Sequence, residues 1–195
     1  RTGFQRPGNL YESMLRRVCP YALRGFWYYQ GEQDEEWPQD YETELTCPVR
    51  RWRADWQDAD AKLPFLLVQL PMYATGAGEN SWPTLRAAQA AVADREPNAG
   101  LVVLADLGEA DNIHPVDKAP AGQRLALLAL DTVYGRPVAG RSPRLAEATV
   151  QGDTALLRFA RTAGSLKLAE GPSGFELAGA AGRFAPAQVL AAGDT

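Results

Sequence analysis

The run LPFLLVQLP, residues 63–71, restricts the fold of this chain more than any other stretch. It is interrupted only by Gln69 and falls far short of the ~18 apolar residues that cross a bilayer. Successive residues of a strand point to opposite faces, so a run this apolar buries both of them. That is the mark of a parallel sheet covered by helices on its two sides rather than an antiparallel sheet with one wet face. RGFWYY at 24–29 and LVVLAD at 101–106 read as two further strands of the sheet.

Helical spacing fills the intervals. Leu10, Met14 and Val18 recur at that spacing with Tyr11 and Leu15 beside them, and Pro20 closes the segment. Leu45, Val49, Trp52 and Trp56 form a stripe on a helix expected to start near Pro48, and core packing is the simplest reading of its tryptophans. SWPTLRAAQAAVADRE is a helix with Ser81 near its cap, after the loop GAGENS. AGQRLALLALDTVYG places Leu125, Leu128, Ala129 and Val133 on one face and ends at Gly135. The order α, β, α, β, α, β, α predicts an α/β fold: a doubly wound parallel sheet with helices on both faces and right-handed crossovers. The character then changes. RPVAGRSPRL is linker-like, EATVQGDTALLRFA reads as a hairpin turning near Gly152-Asp153, and GFELAGAAGRFAPAQVLAAGDT holds short strands and Gly-rich turns. We therefore expect a sheet domain over 1–136 and the start of an all-β domain, a β-sandwich, over 137–195.

Charge narrows the partners. A formal net charge of −4 and no Lys/Arg run longer than two leave no footprint for nucleic acid. No stretch suits a membrane span. Cys19 and Cys47 flank the aromatic strand; one disulfide and two buried free thiols both fit, and no Cys/His spacing suits a metal. Arg1 is not an initiator Met, and VLAAGDT stops at a turn signal, so we expect a piece of a longer chain.

Parallel sheets bind ligands beyond the carboxyl ends of their strands. The first strand delivers Gln30, Gly31, Glu32 and Asp34; the second, Met72 and Tyr73; the third runs into DLGEADNIHP. The one histidine of the chain, His114, thus falls at the ligand edge, three residues after Asp111. Asp-x-x-His on a tight loop lets a carboxylate reach the imidazole and fix its tautomer, the base half of a nucleophilic hydrolase. Gln30, with a nearby backbone N–H, suits an oxyanion hole. The competing readings are plain: an exposed polar pair, and a glycine turn after a strand. A nucleophile is missing, since Ser13, Ser81, Ser142, Ser165 and Ser173 all lack a nucleophile-elbow context.

YQGE at 29–32, LPFLLVQLP, the W-x-x-L-R-x-x-Q pattern from Trp82 to Gln89, and DNIHPVDK followed by RLALLAL resemble the sialate O-acetylesterase family, a carbohydrate-esterase branch of the SGNH hydrolases. RPGNLYESML resembles the helix preceding the Gln-Gly-Glu block, and the β tail resembles the family's appended β-sandwich. The resemblance implies a Ser-His-Asp esterase that removes acetyl groups from sugar hydroxyls and needs no metal or organic cofactor. It implies that His114 is the base and Asp111 its partner, with Gln30, Gly31 and Glu32 lining the site near the oxyanion. The family's serine lies in a Gly-Gln-Ser-Asn motif that this chain lacks, so truncation is implied as well. Tyr28 stands where the family commonly has Trp, and Gln33-Asp34 where it has Ser-Asn, which leaves sugar specificity open. The implied partner is an acetylated carbohydrate and the implied compartment secreted or periplasmic; a homo-oligomer is compatible. Three rivals stand beside this reading. One is a carbohydrate-binding protein with a decayed site, stacking sugars on Trp27, Trp37 or Trp82. Another is a glycosidase pairing Glu32 with Asp111 or Asp34. In the third, Asp111, His114 and Glu32 are metal ligands.

Overall fold

The computed structural model of the chain describes residues 3, 6–74, 81–160 and 174–190. It divides into two compact units, Arg1–Ser142 and Pro143–Thr195.

The first unit is built on three parallel strands, β1 (Phe26–Tyr28), β2 (Phe65–Val68) and β3 (Ala99–Val102), in the order β1-β2-β3. All four residues of β2 are buried, as its doubly apolar sequence demands. Phe65 and Leu67 join a core with Tyr41, Leu45 and Val49 of α2 (Tyr41–Asp55) and Trp82, Leu85 and Val92 of α3 (Ser81–Arg95). Leu66 and Val68 point the other way, onto Leu125, Leu128 and Ala129 of α4 (Ala119–Thr132). Alternation along one strand therefore separates two cores. Burying each such side chain is worth about 1.5–3 kcal/mol. The doubly wound, two-faced sheet is present as expected.

Several local expectations change. The helix expected to start near Pro48 begins at Tyr41 and carries Pro48 inside it. The apolar stripe decides its extent: Tyr41, Leu45 and Val49 are all buried at one-turn spacing. Trp52 and Trp56 pack against the same core around Phe26. Near the N-terminus a π-helical segment, Tyr11–Leu15, leads into the short α1 (Arg16–Val18). Its Leu10, Met14 and Val18 face outward, because Tyr11 is what binds the segment to α2, donating to Asp55 and accepting from Arg51. Cys19 and Cys47 are free rather than bonded, and Cys47 is exposed. Ser81 is the first residue of α3, and the loop before it lies outside the described residues.

The second unit holds a hairpin, β4 (Arg144–Gln151) with β5 (Thr154–Ala160), turning at Gly152-Asp153, and a smaller antiparallel pair, β6 (Glu176–Ala178) with β7 (Phe184–Pro186). These antiparallel pairs fit the start of a sandwich.

Candidate active site

The three parallel strands end on one edge, and so do the loops expected to carry chemistry. β2 continues as an extended segment that pairs with the loop after β3: the Met72 N–H donates to Leu107 O (2.7 Å), and the Ala74 N–H to Ala110 O (3.0 Å). The approach is close enough that a Cβ on Gly108 would sit 2.2 Å from Met72 O, and its φ of +114° is glycine territory. This pairing fixes where the Asp111–His114 loop begins.

Within that loop Glu109 is the organiser. Its carboxylate accepts from the Val116 N–H (2.8 Å) and from the Asn112 side-chain amide (3.0 Å). Those bonds, with Lys118 nearby, hold its carboxyl below the usual range. Asn112 Oδ1 in turn accepts from the backbone N–H of His114 (3.0 Å). Asp111 and His114 are both exposed, and no hydrogen bond joins their side chains among the described residues. The hydrogen bonds that shape the loop run through Asn112 and Glu109. Catalytic hydrogen bonds are often loose until substrate is bound.

The Gln30 loop is built differently. Tyr41 Oη donates to Gln30 O (2.8 Å), and the Gln89 side-chain amide donates to the same carbonyl (3.1 Å). Both side chains are almost fully buried, at 1% exposure each. Gln89 Oε1 also accepts from the Leu70 N–H at the end of β2 (2.9 Å). Gly31 has φ +142°, and a Cβ there would meet Tyr41 Oη at 2.7 Å. The Gln30 side chain is itself engaged. Its amide donates to Asp34 (2.5 Å), and its Oε1 accepts from the Tyr28 hydroxyl (3.3 Å) and lies 3.3 Å from the Tyr41 hydroxyl, whose one proton goes to the closer Gln30 carbonyl. Burial, then the Asp34 and Glu32 carboxylates, push the Tyr28 phenol up to about 12. Burial foremost raises Tyr41 too, so both stay protonated donors. Glu32 opens a short 3-10 helix, Glu32–Glu36.

The two loops meet through Tyr29 and Lys118. The Lys118 ammonium lies 4.8 Å over the Tyr29 ring centroid and 3.4 Å from its hydroxyl. Burial and then Glu32 raise the Tyr29 phenol. Gln30-Gly31-Glu32 and Asp111–His114 thus stand on one edge, tied by the residues that flank them. Tyr41 was not singled out by the sequence, and Gln89 and Lys118 entered only as members of the Trp82–Gln89 and DNIHPVDK motifs, with no role attached. No periodicity marks a glutamine inside AAQAAV as a ligand of a distant carbonyl.

The metal-ligand reading finds no support in the geometry: among the described residues, no three His, Cys, Asp or Glu side chains converge. Of the tryptophans offered for sugar stacking, Trp82 is buried with its indole N–H on Pro71 O (2.7 Å), whereas Trp27 and Trp37 are exposed. β1 turns Phe26 and Tyr28 toward α2, and its alternation sends Trp27 to the opposite face. Among the described residues no helix is long and apolar enough to cross a membrane.

Comparison with known proteins agrees with this architecture. The family described as "Carbohydrate esterase, sialic acid-specific acetylesterase" matches residues 1–130. Sialate O-acetylesterases from Homo sapiens and Mus musculus are 28% and 29% identical to the chain over 150 and 153 residues, covering 69% of it. The matches cover 29% and 28% of those two proteins, so the chain spans less than a third of their length. A crystal structure of a carbohydrate acetylesterase from Xanthomonas citri superposes with a TM-score of 0.83 at 33% identity, covering 93% of this chain and 43% of that one.

Proposed function

Because the chain belongs to the sialic acid-specific acetylesterase family of carbohydrate esterases, we propose that it supplies the base and oxyanion portions of a carbohydrate O-acetylesterase whose serine comes from a segment outside it. In this reading the serine hydroxyl attacks the acetyl carbonyl while His114 takes its proton. The tetrahedral intermediate collapses, the C–O bond to the sugar breaks, and His114 returns the proton to the departing sugar oxygen. A water, deprotonated by His114, then releases acetate and frees the serine. Asp111 orients the imidazole, and the Gln30–Glu32 loop lines the oxyanion. The substrate is an acetylated sugar, sialic acid or another glycan.

One observation carries the reading. Two loops rich in the required groups leave strands β1 and β3 at the same edge, and the Lys118–Tyr29 contact ties them together. A fluorophosphonate probe tests it in the intact protein. Labelling of one serine outside residues 1–195, with loss of acetate release, is the expected result. A label within these residues would refute the division of labour.

A second reading retains the sugar and drops the chemistry: a binding protein with a decayed site. The absence of an Asp111–His114 hydrogen bond among the described residues favours it. Saturable binding of acetylated sugar without acetate release would establish it.

A further inference from the structure

We propose that Lys118 is a positioning residue: its ammonium, seated on the Tyr29 ring, latches the far end of the His114 loop to the end of β1 and so sets where the imidazole stands; the inference rests on the acyl-transfer reading above.

His114 lies between anchored neighbours. Ile113 packs against the core shared by β2, α2 and α3. Pro115, on the other side of the histidine, is buried. The loop then closes at Lys118, the residue just before α4. Its carbonyl accepts the Gly122 N–H (3.1 Å), so its backbone belongs to the first helical turn. From that fixed base the side chain reaches a residue 89 positions earlier in the chain. Among the described residues, this is the hydrogen bond that joins the loop to the segment leaving β1. Packing holds the middle of the loop to its own side of the sheet; Lys118 registers its end against the other loop of the site.

The ring makes a firm platform. Tyr29 is half-buried and packs against both cores of the sheet. Burial and then Glu32 raise its phenol, so the ring stays neutral and the contact is that of a cation with a π face rather than with a phenolate. Lys118 forms no ion pair with a carboxylate among the described residues, and the ammonium sits 4.8 Å from the ring centroid instead. Glu109 is near enough to feel its charge. With that carboxylate already offsetting it, the cation is suited to holding the loop rather than to reading an anionic sugar.

The test uses the intact protein and two substrates, an O-acetylated sialic acid and an uncharged acetylated sugar. Lys118→Met keeps the length of the side chain and removes the charge. Its kcat should fall roughly 5–30-fold on both substrates with KM nearly constant. That exceeds the factor of about 2–5 that an exposed cation–ring contact supplies, because displacing a catalytic group by about 1 Å multiplies the loss. Lys118→Arg and Tyr29→Phe keep a cation and a ring, and should retain most of the wild-type kcat. Tyr29→Leu should match Lys118→Met, and the double variant should lose no more than either alone. Additive losses would overturn the proposal. So would a KM rise confined to the sialic acid, which would make Lys118 a reader of the sugar carboxylate. Should Tyr29→Leu fail to fold, the contrast among Lys118→Met, Lys118→Arg and Tyr29→Phe still decides. A second readout needs no turnover: the backbone NMR order parameters of Val116 and Asp117 should drop in Lys118→Met and recover in Lys118→Arg. Order unchanged in Lys118→Met would overturn the latch. An intact protein that shows this loss of order but hydrolyses no acetyl ester would end the acyl-transfer reading and leave the latch standing.

Discussion

The two loops of the candidate site are held by opposite means. The Gln30 loop is gripped from beneath by Tyr41 and Gln89, two polar side chains with almost no exposure. The Asp111–His114 loop is held from within by Glu109 and Asn112 on the surface. Buried hydrogen bonds compete with little water and leave costly orphans when broken. Surface bonds exchange readily with solvent. The Gln30 loop, the oxyanion side of the proposed site, should thus be rigid before substrate arrives, and the His114 loop, its proposed base side, adjustable. Such a division suits acyl transfer, where the donor stays fixed while the imidazole moves a proton between two oxygens.

The largest effect should come from breaking the rigid side. Gly31→Ala places a Cβ 2.7 Å from Tyr41 Oη at a φ of +142°. Stability should fall by about 1–3 kcal/mol, as for other residues forced into such conformations. Acetate release should fall by more than the thermal shift explains. Calorimetry beside kinetics separates the two, and an alanine variant with normal turnover would show that the loop is not tightly set.

pH sharpens the comparison from both ends. The Tyr28 phenol, raised to about 12 by burial and by Asp34 and Glu32, holds its proton longer folded than unfolded. Its contribution is complete below about pH 10 and is lost as pH rises toward 12. Glu109 titrates the other way. Its depressed carboxyl contributes above the ordinary carboxylate range and ceases to as pH falls through the folded value. Tyr28→Phe should flatten the alkaline limb of a stability–pH curve followed by circular dichroism. Glu109→Gln should flatten the acid limb less, since that carboxylate is only half-buried and solvent screens it. Limbs unchanged by either substitution would remove the electrostatic part of the contrast.

The sequence made one loop more legible than its anchoring. LPFLLVQLP announced a strand buried on both faces, and β2 is one. Once the strands were placed, their carboxyl ends located Gln30, Gly31, Glu32, Asp111 and His114 on a common edge. Illegible was whatever depends on groups far apart in sequence. Tyr41 and Gln89 lie 11 and 59 residues from the carbonyl they share. Nor could spacing tell that Asn112 would hold the His114 backbone N–H while Glu109 holds Asn112 and the Val116 N–H. Pro48 misled for a local reason. Proline commonly opens helices, yet the buried Tyr41, Leu45 and Val49 stripe drew this one past it.

The most direct measurement is acetate release from an acetylated sugar by the intact protein and its His114→Ala variant, with circular dichroism confirming the fold. If His114 is the general base, turnover should drop by roughly 10²–10⁴-fold in a normally folded variant. Near wild-type release from that variant would contradict the assignment of His114 as base and the acyl-transfer site built around it.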